Sequence, residues 1–368
     1  MKEKVKNQLG EQTEHRSDSA ENKPVRTGNW KARLSAIGSI LVIGVVGFFW
    51  SSEQQANGRM KAASRNQTAG QGERRLPSSA VGFSDSVAST ATEKELEGLL
   101  YGKDMEIDLA LANWLIAAEV PEFATVTKDA YLQELDRMTE SVRNDMAEMR
   151  ASGWRGADPK DPASGCRTFC NAIIRLRFEY CEEFSHENLT TEQLKNLHSD
   201  AHNTFLAGLV RTRRGSCVSM PLVYLVIGRR LNLPVHLVTI GRHYFIRWEE
   251  PGYRVNIEPT IVGKVCVTPD ESVYLEAEGL RRDQVKGSDL RNLTPREVVG
   301  NLFFTRSCYW ATKRGPHERE RRRDLARAHR LAPDDPAIEA ASLAVFSHYG
   351  NRPEYSSIDP RLKEQKGN

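Results

Sequence analysis

Cys217, His243 and Glu258 are the residues of this 368-residue chain whose types and spacing could carry chemistry. Cys217 follows Gly215-Ser216 at the opening of a predicted helix with an apolar stripe of Met220, Tyr224, Ile227 and Leu231. Unpaired N–H groups and the positive end of the helix dipole favour a thiolate at such a position. Arg213 and Arg214 add positive charge nearby. A thiolate there can attack a carbonyl while backbone N–H groups stand ready for the oxyanion. A lone cysteine at a helix start is nevertheless structural more often than not, so its partners decide the matter.

Those partners come from a hairpin. Strand-like runs cover Val235–Ile240, His243–Trp248 and Tyr253–Glu258, and Pro251-Gly252 turns the second into the third. If Glu249 and Gly252 close a two-residue turn, His243 lies directly opposite Glu258. Cβ atoms in such a pair are about 5 Å apart, close enough for a carboxylate to hold an imidazole. A register slipped by two makes the same residues diagonal neighbours on one face. A three-residue turn puts them on opposite faces. In the favourable registers Cys217 is the nucleophile, His243 the base and then the acid, and Glu258 the group that fixes the imidazole's tautomer and orientation. The bland alternatives are a strand-edge histidine and a solvated carboxylate before a proline.

The elements around these residues read as helices first and a small antiparallel sheet second, an α+β pattern. Ile107, Leu111, Leu115 and Ala118 mark one helix. Tyr131, Leu135, Met138, Val142, Met146 and Met149 mark a longer one, with Thr127 as its N-cap. A third helix is predicted over Ala163–Phe184, a short one after Thr191, and a fifth ending near Arg211. Beyond the sheet, helices are predicted over Pro295–Thr312, Pro316–Leu331 and Ala337–Tyr349. The Ala328–Pro336 segment has the look of the end of a tetratricopeptide (TPR) unit, though a single unit makes a TPR-like tail and not an array.

The run R-R-G-S-C-V-S-M-P-L-V-Y-L-V-I-G-R-R-L-N-L-P-V, residues 213–235, resembles the nucleophile helix of the bacterial transglutaminase-like superfamily. G-R-H-Y-F-I-R-W, residues 241–248, resembles its histidine strand. N-I-E-P-T, residues 256–260, stands where many relatives have an Asp-Pro-Thr-like segment. The likeness is to transglutaminase-core proteins with helices before the core and a TPR-like segment after it, and it covers roughly residues 95–350. It implies a papain-like α+β core, a Cys217–His243–Glu258 triad and acyl transfer at an amide or related carbonyl, by hydrolysis or by transfer to an amine. Glu258 departs from the usual aspartate by one methylene. The helical segment with Asn203 also fits, and Asn203 is the candidate oxyanion side chain beside the Cys217 N–H. Some members of so broad a group lack the cysteine or the histidine, so a non-catalytic protein-binding scaffold is the alternative.

Composition bounds the rest. Charged residues make up 27% of the chain and nearly balance, at 52 basic against 49 acidic, which gives no sign of a nucleic-acid surface. The first 33 residues hold 8 basic and 5 acidic residues and so carry the whole surplus. Arg33 and Glu53 bracket an uncharged run, LSAIGSILVIGVVGFFWSS, residues 34–52. As a helix it reaches about 28 Å, near the ~30 Å hydrocarbon core of a bilayer. Its long, basic leader and the lack of a small-residue cleavage site make it an uncleaved signal anchor. Eight basic residues before it against Arg59, Lys61 and Arg65 after it set the bulk of the chain outside the cytoplasm, periplasmic in a bacterium.

The expected organisation is therefore a cytoplasmic tail over 1–33, the anchor over 34–52, a flexible linker over 53–93, a transglutaminase-like domain over 94–290, a TPR-like segment over 291–350 and a tail over 351–368. Six cysteines, at 166, 170, 181, 217, 266 and 308, include no C-x₂-C pair. No metal site or cofactor is expected, and no P-loop, dinucleotide fingerprint or H-E-x-x-H occurs. The expected partners are a protein or peptide substrate and the membrane, with the oligomeric state open. Lys313 to Arg330 carries eight basic and three acidic residues, which reads as a solvated helix face before it reads as a site for anionic lipid.

Overall fold

The computed structural model describes residues 91–346 apart from 102, 159, 182–197, 242, 261–267 and 314–316. The expected tail, anchor and linker up to residue 90, the expected helix after Thr191 and the terminal tail lie outside the described residues. Among the described residues no helix is long and apolar enough to cross a membrane.

Four helices lead: α1 (Ala91–Leu100), α2 (Leu109–Ala117), α3 (Lys128–Ala151) and α4 (Ser164–Arg175). Asp108 caps α2 by accepting hydrogen bonds from the N–H groups of Ala110 and Leu111, and Thr127 caps α3 through Ala130 N–H at 3.2 Å. The apolar stripe of α3 is buried as its spacing predicts, from Tyr131 to Met149. Helix α4 is shorter than the expected Ala163–Phe184. Arg177 adopts a left-handed φ of 58°, which a helix does not continue through, and the chain enters the short strand β1 (Glu179–Tyr180).

The helix expected to end near Arg211 is two helices, α5 (Ala201–Thr204) and α6 (Leu206–Thr212). Phe205 between them is extended, at φ −98° and ψ 147°. Its ring is buried edge-on against Phe123 and Tyr309, at 5.9 Å from each, so tertiary packing overrides the local helical pattern. Strand β2 (Arg214–Gly215) then pairs in parallel with β1. Helix α7 (Ser219–Arg230) follows. Asn232 ends it in a left-handed conformation, and strands β3 (Val235–Ile240), β4 (His243–Glu250) and β5 (Tyr253–Ile257) form an antiparallel meander in sequence order. Helix α8 (Glu271–Glu278) comes next.

Helix α9 (Pro295–Thr312) is set by a capping box between Thr294 and Glu297. Fifteen of its 18 residues are buried, so it is wrapped on every side. It packs on α2 and on α10 (Glu318–Leu331), and α11 (Pro336–Phe346) packs on α10. Arg306 of α9, almost fully buried, makes paired 2.7 Å bonds to Asp324 of α10 and a third to the Ile116 carbonyl of α2. The solvated face expected over Lys313–Arg330 is corrected here. Arg321 and Arg322 are buried. Arg323 reaches Glu93 at 2.8 Å and Glu119 at 2.7 Å, and Lys313 reaches Glu122 at 2.6 Å. The basic run faces acidic residues of the leading helices. Mixed helices and small sheets around one core make the fold α+β.

Candidate active site

The site begins with the turn that presents Cys217. Arg213 ends α6 in a left-handed conformation, φ 60°, and Gly215 follows in β2. A Cβ on Gly215 would sit 2.7 Å from both Leu209 Cδ1 and Ser219 Oγ, a contact only glycine avoids. The turn is tied to Asn203. The Ser219 hydroxyl donates to the Asn203 carbonyl at 2.6 Å, and Ser216 N–H reaches that carbonyl and Ser219 Oγ at 3.1 Å each. Ser216 Oγ in turn accepts from Val218 N–H at 3.2 Å. Regular helix starts at Ser219, so Cys217 stands just ahead of it, inside a net of short polar bonds.

The hairpin supplies the other two groups. Pro251 and Gly252 are the turn residues between Glu250 and Tyr253, and Gly252 has φ 82°. The ladder pairs Ile246 with Ile257 and Arg247 with Asn256. This is the register slipped by two from the direct one: continued past Ile257, it sets Glu258 opposite Phe245 and diagonal to His243. Both still share one face, and His243 Nε2 lies 2.8 Å from Glu258 Oε2. The expectation of direct opposition is thereby replaced by the diagonal alternative.

Cys217 is near enough to the same imidazole to act on its charge. Nε2 faces Glu258, and the buried Nδ1 has no hydrogen-bond partner, so it is the ring nitrogen open to a thiol proton. Cys217 is 3% exposed and His243 and Glu258 2% each. Burial by itself pushes the His243 pKa down. That is the largest single effect, but the Glu258 charge and the further interactions with Glu258 and Cys217 together outweigh it and lift the value to about 10. The imidazole is therefore held as a cation beside Cys217 and the Glu258 carboxylate. Arg213 is engaged elsewhere, with Glu134 at 2.5 Å and over the Phe178 ring.

Further residues hold the histidine and its carboxylate. Tyr274 of α8 stacks on His243 with ring centroids 5.9 Å apart and on Phe245 at 4.0 Å. Arg247, fully buried on the same face of β4, fixes α8 through a 2.8 Å bond to Glu271, one turn before Tyr274. Glu258 Oε1, the oxygen away from His243, accepts from Thr260 N–H at 3.0 Å and from the Thr260 hydroxyl at 2.5 Å. Gly241, with φ 58°, lets the β3–β4 turn pass within 2.5 Å of Glu278 Oε2, measured from where a Cβ would stand.

Asn203 sits at the site in a different way from the one expected. Its carbonyl supports the Cys217 turn, while its amide donates to Asp200 Oδ2 at 2.8 Å. A small cavity beside Cys217 is lined by Val218, Tyr244, Asn301, Thr305 and Cys308, so α9 reaches the site although it lies beyond residue 290. Cys166, Cys170, Cys181, Cys217 and Cys308 are all buried. Among the described residues no group of three His, Cys, Asp or Glu is placed to hold a metal ion. Sequence reasoning missed Thr260 and Tyr274. Thr260 had a local signal, a donor two residues after a carboxylate, whereas Tyr274 had none.

Residues 129–303 match a family model described as the transglutaminase-like superfamily. The matched span opens in α3, contains Cys217, His243 and Glu258, and closes inside α9. No curated protein and no solved structure matches the chain.

Proposed function

With residues 129–303 a transglutaminase-like superfamily domain, we propose that the chain is a membrane-anchored cysteine hydrolase or acyltransferase that acts on amide bonds of a protein or peptide. The observation that carries this reading is the buried 2.8 Å contact between Glu258 and His243, with Cys217 near enough to act on the imidazole's charge. In this mechanism Cys217 attacks the amide carbonyl carbon as a thiolate, its proton having passed to His243. The oxyanion meets N–H groups at the start of α7, which complement developing negative charge. His243, protonated beforehand, passes its proton to the departing amine as the C–N bond breaks, leaving a thioester. Water or a second amine then attacks, and His243 takes its proton. Glu258 keeps the imidazole oriented and offsets its positive charge. Hydrolysis is favoured over transamidation because it needs no second substrate site.

Anchoring rests on the uncharged run over 34–52, and an extracytoplasmic, periplasmic catalytic face rests on the basic tail before it. The test is a cysteine-directed alkylating probe applied to the folded protein, followed by peptide mapping. Cys217 is expected to label ahead of the other five cysteines, with labelling lost in Cys217→Ala. Equal labelling of every accessible thiol counts against the enzyme.

One observation favours the second reading, a membrane-tethered scaffold that uses the core and its C-terminal helices to bind protein. Cys217 and His243 are 3% and 2% exposed, which is a closed site. A Cys217→Ala variant that keeps the full cellular role at normal abundance would select the scaffold.

A further inference from the structure

We propose that Thr260 is a positioning residue of this site, holding the outer oxygen of Glu258 so that the inner one faces His243. The inference rests on the catalytic reading of Cys217, His243 and Glu258. Its basis is a gap in the hairpin. The β4–β5 ladder ends at Ile257, so no strand pairing fixes the backbone of Glu258. Being diagonal to His243, the glutamate must also reach across with a side chain of several free torsions. A carboxylate in that situation can rotate and offer either oxygen, or neither.

Thr260 removes that freedom. Its N–H and hydroxyl both donate to Oε1, at 3.0 and 2.5 Å, which leaves Oε2 alone for His243 Nε2 at 2.8 Å. Pro259 between them has a fixed φ, so the two donors and the carboxylate are held at constant spacing. Thr260 is itself buried, and water does not replace its hydroxyl readily. The groups facing His243 are Cys217, Glu258, Phe245 and Tyr274. Glu258 is the anion that stabilises the imidazolium, and its orientation is the quantity Thr260 controls.

The experiment compares wild type, Thr260→Val, Thr260→Ala and Thr260→Ser in the full chain, reading the rate of alkylation at Cys217 across pH with melting as a control. Valine keeps the shape and the N–H but loses the hydroxyl. The rate is expected to fall about tenfold, the scale of one hydrogen bond to a charged group. The alkaline limb, where His243 loses its proton, is expected to move to lower pH. Serine restores both. A Thr260→Val protein with the rate and limb of wild type overturns the proposal. So does a pair of valine and alanine variants that fail to fold while serine folds, because the hydroxyl is then needed for folding. If wild type itself lacks a histidine-dependent limb and Cys217 is no more reactive than the other thiols, the catalytic reading fails, and that outcome is distinct from the failure of Thr260 alone.

Discussion

Glu258 lies diagonal to His243 across the β4–β5 hairpin, and the two still meet at 2.8 Å. Diagonal neighbours stand roughly 7–8 Å apart, their Cβ atoms somewhat less, against about 5 Å for a direct pair. The extra methylene of glutamate makes up part of that difference. The departure from aspartate in the N-I-E-P-T segment and the register of the hairpin are thus one feature: with the turn at Pro251-Gly252, the carboxylate needs the longer side chain.

Glu258→Asp should therefore separate the carboxylate from the imidazole. On the proposed mechanism the rate of Cys217 alkylation falls about tenfold or more, as expected for the loss of a charge-assisted hydrogen bond. Rate measurement with a small alkylating agent checks this. An aspartate variant as reactive as wild type would show that the 2.8 Å contact has no catalytic consequence.

The raised pKa of His243 makes stability depend on pH. The folded value, about 10, is above the ordinary histidine value of 6.5. The folded state thus binds the proton more tightly, and the resulting stability is fully present below about pH 6.5. It is lost as pH rises through about 10. Urea midpoints measured from pH 6 to 10 should decline in wild type and decline less in Glu258→Gln, where the carboxylate that holds the proton is gone.

Asp289 carries a second pH dependence. Burial and the nearby Asp335 carboxylate raise its pKa from 3.8 to about 7, against the opposing hydrogen bond from Gly241 N–H. The neutral form is favoured on folding, so this contribution is complete below about pH 4 and is lost as pH rises through 7. Asp289→Asn keeps an acceptor for Gly241 and removes the charge. It should raise stability at pH 8 by about 1–2 kcal/mol and leave it near wild type at pH 4, as read by thermal melts at the two values.

The Arg306–Asp324 pair is the electrostatic tie of the C-terminal helices. Both groups are buried, and Trp310 Nε1 adds a 3.0 Å bond to Asp324. Arg306→Met takes the closest cation from the buried Asp324 carboxylate, leaving Arg323 at 3.6 Å, and should cost about 3 kcal/mol. The double variant Arg306→Met/Asp324→Leu should recover most of that loss, because neither charge is then stranded. Chemical denaturation of the two proteins distinguishes these outcomes.

Helix α9 predicts the result of truncation. Its buried all-round surface packs on α2, and it lines the cavity beside Cys217. A chain ending at residue 290 should lose cooperative unfolding, by circular dichroism and limited proteolysis. A truncated protein that melts cooperatively would mean that residues 94–290 fold alone.

Much of this molecule was legible in its sequence, because the informative signals were local. The 3.6-residue stripe from Tyr131 to Met149 required only that one face of a helix be buried. Thr127 announced a helix start through its own backbone bond. Gly215, Cys217, His243 and Glu258 were visible as a set, because their order and spacing reproduce a family pattern. The segment over 34–52 stood out by composition alone, and it lies outside the described residues.

What the sequence left open depended on which distant side chains meet. Phe205 breaks a helix only because Phe123 and Tyr309 receive its ring. Lys313 and Arg323 look solvated until Glu122, Glu93 and Glu119 are brought against them from some 200 residues earlier in the chain. Tyr274 reaches His243 only because Arg247 anchors its helix through Glu271. The sequence determined which residues could do chemistry and which elements carry them, since residue type and periodicity are local properties. Only the tertiary structure decided that Glu258 meets His243 on the diagonal, with Thr260 behind it: hairpin register turns on a single choice of turn residues, and a shift of two residues changes every partner while preserving every face.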